Sequence, residues 1–392
     1  MRQKRRSALT ALMMIGGFFL ASISIGISDG SYSRLIETFT RSYTGHVQIH
    51  RSGYLDRPSL HKSFVFGAAA ARRIEALPVV EAWIRRVYAP ALAFAGSRSS
   101  GIQLIGVEAW REDSMTGLGK TISAGRFLAA VDEIVLGFGV ARSLRLAPGS
   151  EVALVTQGAD GSTANDLFRV VGIAGSGDDL RNRASCYVSL QAAQQFLALG
   201  NRIHEVSLVL PSHKMAIEGA RLIDAALQEE DLDVEPWQVV EREFNQAMKT
   251  DLQGLWISIS IIMVIVAVGV LNTVLMTILE RTREFGMLRA VGTRPRSIFA
   301  LILLETCFLT LISIALAAVL SLICNYALSI TGIALPQPVE VAGFSFDRMV
   351  STTAPRTLWI PAIVVTASAL TVSTIPALRA ARITPVEAMR SH

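Results

Sequence analysis

Few residues in this 392-residue sequence have the types and spacing that chemistry needs. Ser114-Met-Thr-Gly-Leu-Gly-Lys-Thr121 ends like a phosphate-binding loop, but Ser114 stands where that loop begins with glycine. His46, His50 and His61 lie close in sequence. On a strand, His46 and His50 share a face but stand about 13 Å apart, too far to hold one metal ion. They read as polar surface histidines. Asp178-Asp179 falls in a Gly-rich turn and reads as solvated. Gly26-Ile-Ser-Asp-Gly30 spells Gly-x-Ser-x-Gly but ends an apolar run rather than a strand, so it is no nucleophile elbow, and no ordered His/Asp/Ser set and no carboxylate pair on one element stands out. Enzyme chemistry in this chain is therefore disfavoured. Of the three cysteines, Cys307 and Cys324 fall in an apolar run, while Cys186 stands alone in the polar part. No disulfide framework and no cysteine metal site follow, and Cys186→Ser is expected to be neutral. Glu305 lies about 10 Å into an apolar run that starts at Ile298. A carboxylate at that depth must face protein or water, or be neutralised. It either contacts an arginine of the preceding loop or is shallow enough to reach the interface.

The elements around these residues are set by long apolar runs. The chain is 51% hydrophobic with a mean hydropathy of +0.43, unusual for a soluble domain. Leu255 to Leu279 contains no charged residue and is long enough for a bilayer core of about 30 Å. Ala8 to Ser28 follows Arg2, Lys4, Arg5 and Arg6 and is equally uncharged. Ala21-Ser-Ile-Ser is a poor cleavage site and no lipobox cysteine follows, so this segment is expected to stay as a span. Ile298 to Ile330 and Leu358 to Ile375 complete four spans. The formal charge of +5 comes from clusters at residues 2–6, 281–296 and 379–390. They hold those ends in the cytoplasm and form no nucleic-acid footprint.

Between the second and third spans, Glu280-Arg-Thr-Arg-Glu-Phe-Gly-Met-Leu-Arg-Ala-Val-Gly-Thr-Arg-Pro-Arg-Ser297 reads as a short amphipathic helix. Phe285, Leu288 and Val291 recur on it, with Met287 beside them; Gly292 stops it and Pro295 prevents a simple restart. Its apolar stripe fits a groove on a partner, or else lies on anionic lipid.

Outside the bilayer, Tyr32, Leu35, Ile36, Phe39 and Tyr43 keep helical spacing, as do Phe244, Ala247, Met248, Leu252 and Leu255. Both patterns abut spans without Gly or Pro, which predicts a two-helix stalk packed by these faces. Strands at 46–50, 82–95, 102–107, 133–137, 168–174 and 184–189, with helices at 66–77 and 191–199, predict an α/β region between the stalks. It closes with a β-α-β unit over 206–210, 214–229 and 234–240.

Asn272, Glu280, Arg281, Arg283, Glu284, Gly286, Leu288, Arg289, Ala290 and Gly292, with the closing Pro376-Ala-Leu-Arg-Ala-Ala-Arg-Ile-Thr-Pro-Val-Glu-Ala-Met-Arg390, resemble the FtsX-like ABC transporter permease superfamily. Lipoprotein-release (LolC/LolE-type) permeases within it are the most similar. The resemblance implies a four-helix membrane protein with an extracytoplasmic α/β (α+β) domain between the first and second spans, in the inner membrane. The expected order is N-terminus and first span 1–28, stalk 29–44, exported domain 45–240 with a β-rich insert at about 121–199, and stalk and second span 241–279. Coupling helix 280–297, third span 298–330, exported loop 331–356, fourth span 357–378 and tail 379–392 follow.

The resemblance further implies a cytoplasmic ABC ATPase dimer gripping Glu280, Arg281, Arg283, Glu284, Phe285, Gly286, Leu288, Arg289 and Gly292. ATP and magnesium would sit on that partner, and no cofactor on this chain. Glu305 is expected to contact the coupling segment, since similar permeases often carry an acid there. A second permease copy or a paralogue, membrane lipids and lipoproteins are the other implied partners, and the implied cargo step is lipoprotein release. Periplasmic efflux of a small molecule or peptide, and FtsX-type control of a cell-wall hydrolase, are the alternatives. The lack of a fused ATPase in this sequence points to lipoprotein release over macrolide efflux.

Overall fold

The structure is a computed structural model that describes residues 2–175, 181–341 and 344–383. It divides into two compact units: Met1–Tyr32, Ala247–Leu335 and Arg348–His392 form one, Ser33–Gln246 and Pro336–Asp347 the other. Helix α1 (Arg2–Phe39) passes into a π-helix, Thr40–Thr44. Next come β1 (Val47–Arg51), β2 (Phe64–Val65), α2 (Ala68–Glu75), β3 (Ala82–Ala95), β4 (Arg98–Val107), α3 (Ala109–Thr116) and β5 (Ile122–Gly125). These lead to β6 (Glu133–Gly137), α4 (Phe138–Leu144), β7 (Glu151–Gln157), β8 (Thr163–Ala174), β9 (Ser185–Ser189), α5 (Leu190–Phe196) and β10 (Arg202–Ile203). The α/β part ends with β11 (Glu205–Val209), α6 (Ala216–Leu227), β12 (Leu232–Pro236) and α7 (Trp237–Val240). Then follow α8 (Arg242–Glu280), α9 (Thr282–Ala290), α10 (Pro295–Thr331), β13 (Ile333–Val341), β14 (Phe344–Met349) and α11 (Arg356–Ala381).

One ten-stranded sheet organises the α/β unit, in the order β12-β1-β11-β3-β4-β9-β6-β8-β5, with β7 bonded to β3 and β8. Both β11 and β12 pair antiparallel with β1, so they run parallel to each other and α6 is the crossover between them. The stretch at about 121–199 shares this sheet, because β9 lies parallel along β4. It shares the core too: Val47, Leu104, Leu136 and Val188 belong to one buried cluster.

Several expectations are corrected here. His46 and His50 are buried, not on the surface. β1 lies between two strands, and both faces of the sheet are covered at that point. His50 Nδ1 lies 2.9 Å from the His204 carbonyl and Nε2 2.8 Å from Gln48 Oε1; His46 Nδ1 accepts from the Leu210 amide at 3.0 Å, while its Nε2 lies 3.6 Å from Glu37 Oε2. Trp237 to Val240 is a helical turn, because Trp237 turns into an aromatic cluster with Phe39 and Phe244. The segment at 331–356 contains the ribbon β13–β14. Cys186 is buried in the main core, where burial pushes its thiol up to about 12; serine there would place a more polar hydroxyl among apolar side chains, which argues against a neutral replacement. Ser114–Thr116 are the end of α3 and Leu118–Thr121 a 3-10 turn leading into β5, the reverse of the strand-loop-helix order of a phosphate loop, and Asp113 Oδ1 already accepts the Gly119 amide at 2.7 Å. The Asp178-Asp179 turn and the tail beyond Ile383 lie outside the described residues.

In the helical unit, α1, α8, α10 and α11 are each long and apolar enough to cross a membrane. Met14, Phe18, Ala21 and Ile25 of α1 pack against Ile259, Met263, Val266 and Val270 of α8, with Ala317 of α10 and Val365 and Ala369 of α11. A Cβ added at Gly17 would collide with Val266, so glycine there sets how closely α1 and α8 approach. Polar side chains cross-link the apolar interior. Thr10 donates to Thr273 at 2.6 Å, and the buried Asn325 amide donates to Ser22 at 3.2 Å and accepts from Ser351 at 2.7 Å.

Candidate functional site

The site is built on α9. α8 ends at Glu280, and Arg281 caps the next helix with a non-helical φ of −102°. At the far end Gly292 adopts φ +97°, a region that favours glycine, and the Thr293 amide returns to the Leu288 carbonyl at 3.0 Å. Pro295 does not block a restart: it is the first residue of α10, where its missing N–H costs nothing.

Phe285 anchors this short helix. It is 1% exposed and packs with Ile278 of α8, Ile298 and Ile302 of α10, and Ala377 and Ala380 of α11. The alanines let α11 come close beneath the ring. Gly286 is buried beside it. Arg281 adds a polar clasp: Nε donates to Glu284 Oε2 and Nη1 to Glu305 Oε2, both at 2.9 Å, and the guanidinium lies 5.3 Å from the Phe285 ring. The bond to Glu284 raises the Arg281 pKa, so the guanidinium stays charged. Each pair is solvent-facing and worth about 0–1 kcal/mol, but together they tie α9 to α10. Glu305 therefore touches the preceding segment.

The opposite edge of α9 has no partner among the described residues. Met287, Leu288 and Val291 are 56%, 41% and 88% exposed. The expected single stripe of Phe285, Leu288 and Val291 is thus divided, with Phe285 buried and the other two exposed. Three residues turn a helix by about 300°, so each step rotates the stripe by about 60°. Glu280 and Arg283 are exposed on the same segment; Arg289 is half-buried and donates to the Thr293 carbonyl at 3.1 Å.

The stalk candidates are distributed differently. Phe39 is buried edge-on against Trp237 and Phe244, with centroids at 5.9 and 5.3 Å. Tyr32 donates to Asp251 Oδ2 at 2.7 Å. Tyr43 sits in the π-helix under the Arg86 guanidinium. Leu35 and Met248 are half-buried. The sequence pattern gives no sign of the Trp237 cluster, and the alanines beneath α9 show in it only as the Ala-Leu-Arg-Ala-Ala run. Among the described residues no group of His, Cys, Asp or Glu could hold a metal ion.

Residues 7–224 match the MacB-like periplasmic core domain, and residues 256–385 match the FtsX-like permease C-terminal domain. The chain belongs to the FtsX-like permease family, with a MacB-like periplasmic core. As a permease of this FtsX/MacB/LolC type, it crosses the inner membrane four times and holds its α/β unit in the periplasm between the first and second spans. The lipoprotein-releasing system transmembrane protein LolC of Neisseria meningitidis is 21% identical over 218 residues, 53% of this chain and 52% of LolC. The macrolide export ATP-binding/permease protein MacB of Escherichia coli K12 is 32% identical over 127 residues, 32% of this chain and 17% of MacB. The permease chain thus spans about half of LolC and a smaller part of MacB. The solved periplasmic region of MacB from Actinobacillus actinomycetemcomitans aligns with a TM-score of 0.38 at 15% identity, covering 53% of this chain and 95% of that one. The extracellular domain of the YknZ transporter from Gram-positive bacteria gives 0.35 at 15%, covering 48% and 98%.

Proposed function

We propose that this permease is the non-catalytic membrane subunit of an ABC transporter, and that α9 is its coupling helix. A cytoplasmic ATPase dimer carrying ATP and magnesium grips the edge formed by Met287, Leu288 and Val291, flanked by Glu280, Arg283 and Glu284. The observation that carries this reading is the division of α9 into an anchored face at Phe285 and an exposed apolar edge. A helix that merely lay on lipid would not need a buried ring and a two-armed guanidinium clasp to fix its orientation. Closure of the ATPase then pushes α9, the anchor passes the push to α10 and α11, and α8 continues unbroken from Glu280 to Arg242. The chain does mechanical work, and ATP hydrolysis is on the partner. Four spans make a thin bundle, so a second copy or a paralogue completes the transporter.

The cargo on this reading is a lipoprotein released from the periplasmic side of the membrane, and the LolC match, over half of both chains, supports it. Export of a small molecule or peptide is the second reading, supported by the higher identity to MacB over a shorter stretch. Identifying what copurifies, an acylated protein or an outer-membrane channel, separates them. The coupling role is tested by Leu288→Asp. Leu288 is exposed enough for the fold to accept the change. A carboxylate buried unpaired in a docked groove costs several kcal/mol, against about 8 kcal/mol for a whole micromolar contact. Normal expression with loss of ATPase copurification is expected; full retention of the ATPase would overturn the role of α9.

A further inference from the structure

A second polar assembly lies inside the periplasmic unit, where the π-helix that ends α1 meets β3, β11 and α3. Arg86 of β3 is 2% exposed and is held on three sides. Its Nε and Nη2 donate to Glu112 Oε2 and Oε1 of α3 at 3.0 and 2.7 Å. Its Nη1 donates to Glu205 Oε1 of β11 at 3.1 Å and to the carbonyl of Tyr43 in the π-helix at 2.5 Å. Glu205 also accepts a hydrogen bond from Tyr88. Glu241, half-buried after α7, adds a third carboxylate. π-helical turns are rare and often mark functional positions.

The charges in this joint do not balance. The bidentate pair with Glu112 already neutralises Arg86. An ionised Glu205, itself buried, would add a surplus negative charge beside Glu112 and Glu241 with almost no water to solvate it. A carboxylate so placed is relieved by taking up a proton. Burial does push the Glu205 carboxyl up, to about 7, and burial together with Glu205 raises Glu241. The groups that face Glu205 are Arg86 and Tyr88 from β3, Glu112 from α3, Tyr43 from the π-helix, Tyr54 from the loop after β1, and Glu241. On the neighbouring β1, His50 is kept neutral by burial.

We infer that this joint is linked to periplasmic pH: a proton on Glu205 leaves Arg86 paired with Glu112 and clamped on the Tyr43 carbonyl, and loss of that proton loosens the clamp on the π-helix. The sign follows from linkage. An opened joint exposes a carboxyl that titrates near 4.5, whereas the packed one titrates near 7. Opening therefore becomes easier by up to about tenfold per pH unit between those values, and is unchanged by pH outside them.

The test uses the full chain in lipid nanodiscs, without any ATPase, so its outcome is independent of the coupling role of α9. Hydrogen exchange at the amides of residues 40–45, corrected for intrinsic rates, is compared at pH 5 and pH 7.5 in wild type and Glu205→Gln. His46 and His50 affect both proteins alike. The wild type should gain at least about tenfold in opening relative to the glutamine variant over this range. Identical pH profiles in the two proteins would overturn the inference. If Glu205→Gln does not fold, infrared titration of wild type and Glu241→Gln decides. A buried carboxyl band lost near pH 7 in both supports the joint, and its absence from both, or from Glu241→Gln alone, overturns it.

Discussion

Replacing Phe285 with alanine should detach α9 from the bundle. The ring is 1% exposed and touches three other elements through Ile278, Ile298, Ile302, Ala377 and Ala380. Removing a buried phenylalanine costs about 3–5 kcal/mol. The Arg281 guanidinium over the ring adds about 0.5–1 kcal/mol that alanine also loses. Against this, the site can partly collapse, because α9 is joined to its neighbours by Arg281 on one side and by a glycine turn on the other. The expected loss is therefore about 3 kcal/mol, near the lower end of that range. It is read as unfolding of the purified permease in mixed micelles, alongside protease sensitivity of residues 281–294. Leu288→Asp, on the exposed edge, should change the same stability by less than about 0.5 kcal/mol. A Phe285→Ala protein as stable and as protease-resistant as wild type would refute the anchor. α9 would then be a tethered loop that could not pass a push to α10 and α11.

Orientation can be read with an impermeant thiol reagent in intact cells whose outer membrane is made permeable. A cysteine at Ser162 should be labelled and one at Ser297 shielded; the reverse would place α9 on the wrong side for an ATPase. Acid should destabilise the periplasmic unit. Burial lowers both His46 and His50 from 6.5 to about 4, so the unfolded chain binds more protons between those values. Stability is then retained above pH 6.5 and lost as pH falls toward 4, by up to about 3 kcal/mol for each histidine. Glu205, with Glu241 and Glu235 also raised by burial, works in the opposite direction, while His204, lowered by burial, adds to the loss from His46 and His50, and the deeply buried imidazoles outweigh the one buried carboxyl and the two half-buried ones. A melting temperature that does not fall between pH 6.5 and pH 4.5 would contradict this.

The membrane spans were legible because uncharged runs such as Leu255–Leu279 have one reading in terms of length and composition. The strands of the long hairpin β3–β4 were legible from their β-branched and aromatic content and the turn between them. What the sequence could not reveal was which elements cover a given face. His46 and His50 sit in a polar-looking stretch, and only the continuous burial along β1, with α6 and α7 packed against it, shows that its faces are covered. The same holds for α9. Phe285 and Leu288 look equivalent on a helical wheel, and only Ala377 and Ala380, some 90 residues later in the chain, decide that one is anchored and the other free. Trp237 reads as the end of a strand until Phe39, from another element, gives it an aromatic partner. The pairing of Glu305 was partly legible, since a carboxylate in an apolar run requires a partner, but the choice of Arg281 among the five arginines of the loop was not.

The coupling role of α9 turns on what touches its exposed edge. A photo-crosslinking amino acid placed at position 288 in otherwise native cells, irradiated and examined for adducts, reports that contact directly. The account predicts an adduct between the permease and a cytoplasmic ATPase subunit, lost when the same group is placed at the buried position 285. Adducts confined to lipid at position 288 would contradict it.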